Sequence, residues 1–174
     1  MRRILAAYIG VEPAALEFEE APPGGKPAFR EAPPFNFSRS GGVAVLAVAA
    51  SGRVGVDIEA LKPGDFDGVV LAQFSAAERL ELERLPEDLR LSAFYRGWTL
   101  KEALVKATGE GLNDRLAAMT VQLDPRLPAE IVDGPSGYRP GDWRLMTFRP
   151  AEDVCGALAA DHAIAHIVCR VLAA

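Results

Sequence analysis

Asp57, Glu59 and Glu102, with Lys101 and Lys106, are the residues of this 174-residue chain whose types and spacing could do chemistry together. Asp57 and Glu59 lie in Gly55-Val56-Asp57-Ile58-Glu59, and Lys101, Glu102 and Lys106 lie in the run from Trp98 to Leu112. Carboxylates converging from separate elements suit magnesium, which takes oxygen ligands, keeps several waters and is commonly shared with substrate phosphates. A lysine in the same space neutralises charge that builds on a phosphoryl group as it moves. These residue types therefore suit metal-assisted chemistry on a phosphate or pyrophosphate. A plainer reading competes: a Glu and a Lys four apart on a helix form an ordinary surface ion pair worth about 0.3–0.5 kcal/mol. Against it stand Asp57 and Glu59 in an otherwise apolar segment, since charges are seldom set beside a core without a partner.

The elements that must position these groups follow from periodicity. Val54, Val56 and Ile58 alternate with Gly55, Asp57 and Glu59, which predicts a strand. Asp57 and Glu59 then share one face, roughly 6.5–7 Å apart. The apolar run Val43 to Ala50 predicts a strand buried on both faces, joined to the first as a hairpin by the turn signal Ser51-Gly52. Leu100, Ala103, Leu104 and Ala107 make an apolar stripe at helical period, while Trp98, Glu102 and Lys106 line a second face of the same helix. Pro86 is the expected first helical residue, Gly109 the left-handed terminator and Gly97 a weak point. Ser75-Ala76-Ala77-Glu78 is a capping-box pattern opening a shorter helix towards Leu85.

A third stretch, Phe35-Asn36-Phe37-Ser38-Arg39-Ser40-Gly41-Gly42, offers two hydroxyls, an arginine and glycine N–H groups, all suited to phosphate oxygens. Its glycines lead into a strand, so it is neither a Rossmann nor a P-loop signature.

These motifs together resemble the 4′-phosphopantetheinyl transferases of the larger, two-lobed, surfactin-synthetase-activating type. That family carries, in order, Gly-Lys-Pro, Phe-Asn-x-Ser-His-Ser, Gly-Val-Asp-Ile-Glu and Trp-x-x-Lys-Glu-Ala-x-x-Lys-x-x-Gly-x-Gly-Leu. This chain has Gly25-Lys26-Pro27, Phe35 to Ser40, Gly55 to Glu59 and Trp98 to Leu112. The stretches around Trp143-Arg144-Leu145 and Ala157-Leu158-Ala159 look like the family's final strands. The resemblance implies an α+β fold of two pseudo-related lobes, the first shortened, with residues 1–55 as the N-terminal lobe and 56–174 as the C-terminal lobe. It implies that the serine hydroxyl of an apo acyl or peptidyl carrier protein attacks the β-phosphate of coenzyme A. The phosphopantetheine arm is transferred and adenosine 3′,5′-bisphosphate leaves. By position, Asp57, Glu59 and Glu102 correspond to magnesium ligands, and Glu102, or a metal-bound water that it orients, to the general base. Lys106 resembles the lysine at the pyrophosphate. Lys26 with Pro27, Ser38, Arg39 and Asp57 belong to the coenzyme A site, and Lys101 serves the outer phosphates or only solvent.

Two departures qualify this expectation. Arg39 stands where the family has histidine. If that histidine only donates to a phosphate, arginine serves with more donors; if it must lose a proton, arginine cannot. The segment Met1 to Gly10 resembles a helix that normally lies well inside the first lobe. A preceding strand and helix are thus expected to be missing, through a late-assigned start or a genuinely shortened form. Apolar surface left by that shortening predicts a two-fold homodimer. A magnesium-dependent pyrophosphate hydrolase is a competing enzyme, without its Arg-Glu-x-x-Glu-Glu run here. A catalytically silent homologue that binds coenzyme A or a carrier protein is the alternative outside catalysis.

Apolar content of 49% with 25% charged residues fits a folded globular chain, and the net charge of −5 argues against general nucleic-acid binding. No leader pattern and no spanning apolar run is visible, so no membrane partner and a cytoplasmic location are expected. Cys155 and Cys169 are expected as buried free thiols. His162 and His166, four apart, lack the glutamate of a zinc-protease motif.

Overall fold

The computed structural model describes residues 1–17, 29, 32–109, 116–161, 164 and 166–171. Its α-helices and β-strands are α1 (Arg2–Ile9), β1 (Phe35–Ser40), β2 (Val43–Val48), β3 (Val54–Ala60), α2 (Asp67–Gln73), α3 (Ala76–Arg84), α4 (Glu87–Thr108), β4 (Thr120–Val121), β5 (Ile131–Asp133), β6 (Trp143–Ala151) and β7 (Val154–Asp161). The architecture is mixed α+β, and among the described residues there are three small antiparallel sheets ordered β1-β2, β3-β7-β6 and β4-β5.

The strand predicted over Asp57 and Glu59 is β3, and its alternation sorts its two faces. Val54, Val56 and Ile58 are buried, with Val54 and Val56 packing beside Ala47, Ala49 and Ala160. Gly55, two residues before Asp57, faces α4. The expected hairpin is not formed. β2 pairs with β1, register Phe35↔Val48 to Ser40↔Val43, whereas β3 pairs with β7, register Val54↔Ala160 to Ala60↔Val154. The chain already turns tightly at Gly41-Gly42, both with positive φ, and this closes β1 on β2. β2 is also only partly buried rather than enclosed on both faces.

α4 runs unbroken for 22 residues. Leu100, Ala103, Leu104 and Ala107 are buried in the main core with Ala157 and Ala159 of β7, as their spacing predicted. Pro86 is the N-cap, one residue outside the helix, and Gly109 ends it at φ 75°. Gly97 does not weaken α4: Phe74 and Leu123 pack where its side chain would be. Ser75 and Glu78 form the capping box of α3. A second, smaller core gathers Leu5, Ala6, Leu16, Phe29 and Phe35 under α1 and the β1–β2 sheet.

Cys155 is half-buried, its thiol pushed up to about 11 chiefly by burial, while Cys169 is exposed, contrary to the sequence expectation for the latter. His162 lies outside the described residues, and His166 lies outside any helix or strand. Among the described residues no helix is long and apolar enough to cross a membrane.

Candidate functional site

A close approach of two backbones builds the site. A Cβ added to Gly55 would sit 2.0 Å from the carbonyl oxygen of Ala103 and 2.4 Å from the amide nitrogen of Ala107. Only glycine lets β3 lie this tightly on α4. Asp57 of β3 thereby meets Glu102 and Lys106 of α4, each of which stands one residue before one of the two contact residues, Ala103 and Ala107.

Asp57 is 3% exposed and Glu102 9% exposed. Lys106 Nζ donates to Asp57 Oδ1 at 2.6 Å and reaches Ser38 Oγ at 3.4 Å, and Ser38 Oγ donates to Asp57 Oδ1 at 3.0 Å. Two oxygens remain: Asp57 Oδ2 and Glu102 Oε1 are buried and have no hydrogen-bond partner among the described residues. A buried carboxylate oxygen without a donor is costly, and a cation is the usual compensation. Burial, foremost, pushes the Glu102 carboxyl up; Asp57 and Glu59 add to the shift, and Lys106 opposes it. The electrostatics is that of a carboxylate cluster short of positive charge.

Glu59 stands one step further out. Ser40 Oγ donates to its Oε2 at 3.0 Å. Among the described residues no three His, Cys, Asp or Glu side chains converge tightly enough to hold an ion between them as they stand. The donor set nevertheless suits a hard cation, since it is all carboxylate, comes from two elements, and includes two unsatisfied oxygens.

Other expected site residues fall elsewhere. Lys101 does not join the site. It is fully buried on another side of α4, donating to the carbonyl oxygens of Gln73, Leu116 and Met119 at 2.7–2.9 Å and pairing with Glu78 Oε2 at 2.6 Å. The 100° between adjacent helical residues sends it away from Glu102. Trp98, placed by spacing on the Glu102 face, is partly buried against the main core. Arg39 is exposed and lines, with Ser40, Gly42, Val43 and Ala44, an open depression of about 380 Å³. Ser38 is buried, and its proton is committed to Asp57. Lys26 and Pro27 lie outside the described residues.

Sequence reasoning missed Gly55 as the contact point and Asn36 as a structural group. The signal for Asn36 was present as a period-two polar set, Asn36, Ser38 and Ser40, on one side of β1.

Comparison with known proteins places these residues in context. The sequence profile of the 4′-phosphopantetheinyl transferase superfamily matches residues 53–159, a span that contains β3 and α4. The chain is 33% identical over 165 residues to the 4′-phosphopantetheinyl transferase HetI of Nostoc sp., covering 91% of this chain and 66% of that protein. It is 35% identical over 140 residues to a 4′-phosphopantetheinyl transferase of Bacillus subtilis, covering 77% of this chain and 60% of the relative. It is 39% identical over 110 residues to the 4′-phosphopantetheinyl transferase AcpT of Salmonella typhi, covering 62% and 55% respectively. The chain thus spans between about half and two thirds of the length of these relatives.

Proposed function

The chain belongs to the 4′-phosphopantetheinyl transferase superfamily, and from that premise we propose that it moves the 4′-phosphopantetheine arm of coenzyme A onto a serine of an apo acyl or peptidyl carrier protein. The observation that carries this reading is the pair of unpartnered, buried carboxylate oxygens, Asp57 Oδ2 and Glu102 Oε1, beside the ammonium of Lys106. Asp57 and Glu102, with Glu59 beside them, would hold magnesium. Bound there, it would draw charge from the pyrophosphate oxygens and fix their orientation.

The chain's own residues supply the rest. The Glu102 carboxylate accepts the proton of the carrier serine, directly or through a water that it orients. The serine oxygen forms a bond to the β-phosphorus of coenzyme A as the bond to the adenosine 3′,5′-bisphosphate oxygen breaks. Lys106, within reach of the site on a flexible stem, offsets the charge gathering on the leaving group. Arg39, exposed beside the depression next to β1, contacts a coenzyme A phosphate in the role taken by histidine elsewhere in the family. Residues 1–55 and 56–174 are read as two lobes, with the site at the seam where β1 meets β3.

One observation favours a second reading, a silent homologue that binds coenzyme A or a carrier without transfer: the three carboxylates do not close on a common point. Mass spectrometry of apo acyl and apo peptidyl carrier proteins incubated with coenzyme A, magnesium and this chain decides between them. A carrier mass gain equal to the arm, lost in Glu102→Gln, supports transfer. Unmodified carriers together with measurable coenzyme A binding support the silent homologue.

A further inference from the structure

Along one edge of β3, β1 offers side chains where a neighbouring strand would offer carbonyls. Val56 N–H donates to Asn36 Oδ1 at 2.8 Å, Ile58 N–H to Ser38 Oγ at 3.3 Å and Ala60 N–H to Ser40 Oγ at 3.0 Å. The partners keep a constant offset of 20 residues, so the two strands run parallel, side chain against backbone. The backbone of β1 is paired with β2 and that of β3 with β7, so these side chains form a hydrogen-bonded seam between two sheets. Two of them have a second bond. Ser38 Oγ donates to Asp57 Oδ1 and Ser40 Oγ to Glu59 Oε2, each at 3.0 Å. Each hydroxyl accepts from the amide that follows the carboxylate residue to which it donates, and the relation repeats two residues on.

We propose that Ser40 is a positioning residue for Glu59, holding that carboxylate in the orientation from which it serves the cation site, as Ser38 holds Asp57. The proposal rests on the reading of Asp57, Glu59 and Glu102 as the carboxylates of that site. The Ser40 hydroxyl has one proton, and the Ala60 amide on its acceptor side leaves Glu59 as the receiver of that proton. Glu59 is half-buried and carries three rotatable bonds, so without this donor its carboxylate spreads over several rotamers. A group ordered before binding does not have to be ordered at binding, and outer partners of metal ligands commonly change affinity about 10–100-fold. A rival role exists, because Ser40 also lines the depression beside Arg39 and its hydroxyl is a candidate phosphate donor. The two roles differ in which ligand is lost when the hydroxyl is removed.

Calorimetric titration of the full chain with Mn²⁺, and separately with coenzyme A in the presence of chelator, distinguishes them. Ser40→Thr and Ser40→Val have nearly the same shape and differ in a hydroxyl against a methyl, so both suit a strand. Ser40→Val is expected to bind Mn²⁺ about 10-fold more weakly than Ser40→Thr, with coenzyme A affinity equal in the two and unchanged far-ultraviolet circular dichroism. Equal Mn²⁺ affinity in the two variants overturns the proposal, as does a loss confined to coenzyme A. Asp57→Asn provides the separate control: if it binds Mn²⁺ as the wild type does, the cation-site reading itself fails and the proposal goes with it.

Discussion

Lys106 Nζ lies 2.6 Å from Asp57 Oδ1, joining an ammonium whose side chain is 30% exposed to a carboxylate that is almost wholly buried. The pair has two opposed consequences. The ammonium compensates a buried charge, and a charge-assisted hydrogen bond of this kind is worth about 1.5–3 kcal/mol, taken at the low end here because the lysine is partly solvated. The same positive charge repels any divalent cation drawn to the free oxygens of Asp57 and Glu102. Lys106→Met is therefore expected to lose about 1–2 kcal/mol in urea denaturation with chelator present, to bind Mn²⁺ more tightly, and to transfer the arm more slowly. Weaker Mn²⁺ binding in this variant would mean that lysine and cation cooperate, contrary to the argument.

Glu102 links stability to pH. Burial and the neighbouring carboxylates hold its carboxyl above the ordinary value of 4.5, so the folded chain keeps the proton more tightly than the unfolded chain. The stability from this group is full below 4.5 and is lost as pH rises through the raised value. Glu102→Gln carries no such proton. In chelator, its melting temperature should gain on that of the wild type as pH is raised from 4.5 towards neutrality, while transfer is abolished. A constant gap across that range would remove the linkage.

Lys101 and Glu78 form a fully buried ion pair, with no part in the chemistry proposed above. Glu78 also accepts from the amides of Ser75 and Val121 at 2.7 and 2.8 Å, so the pair ties the start of α3 to α4 and to β4. Burial pushes the Glu78 carboxyl up and the Lys101 ammonium down, and each partner opposes the other's shift. Removing one partner leaves a buried charge uncompensated, at about 3–5 kcal/mol. Lys101→Met should thus be strongly destabilised in thermal denaturation yet bind coenzyme A, where folded, with wild-type affinity. A coenzyme A defect without a stability defect would return Lys101 to the phosphates.

The two lysines illustrate what was legible in the sequence. Helical spacing put Lys106 on the face of Glu102, where it stands, and turned Lys101 away from that face, but Lys101 reaches neither outer phosphates nor solvent because it is fully buried. Spacing could not say what Lys101 turns towards, because its four partners come from residues 73, 78, 116 and 119, brought together only by tertiary packing. The strand over Asp57 and the helix over Glu102 followed from periodicity. The partner of β3 did not: sequence proximity favoured β2, whereas β7, about a hundred residues on, takes that edge and β1 side chains take the other. Period-two alternation fixes faces, and says nothing of which edge meets which strand.

Arg39 tests the coenzyme A contact. It is exposed, so its substitution should leave the fold intact. As a phosphate donor its loss in Arg39→Ala costs about 1.5–3 kcal/mol of coenzyme A binding, read by calorimetry, whereas Arg39→His retains a donor and most of the affinity. Equal affinity in Arg39→Ala and wild type would remove the contact.

Gly55 is where fold and site meet in one atom. Its need is for closeness: a Cβ there would meet the backbone of Ala103 and Ala107, which cannot rotate aside as a side chain would. Gly55→Ala must move β3 away from α4, and so Asp57 away from Glu102. Overpacking typically costs about 1–3 kcal/mol, and a backbone obstacle places this case at about 3. Gly109→Ala is the contrasting control. Its φ of 75° strains any L residue by about 1 kcal/mol, but among the described residues, chain neighbours aside, nothing lies within 4 Å of the added carbon. Both variants should melt below the wild type, and only Gly55→Ala should also lose Mn²⁺ affinity in calorimetry. If Gly55→Ala kept wild-type Mn²⁺ binding, the cation site would not depend on the β3–α4 contact, and its carboxylates would have to be sought away from that seam.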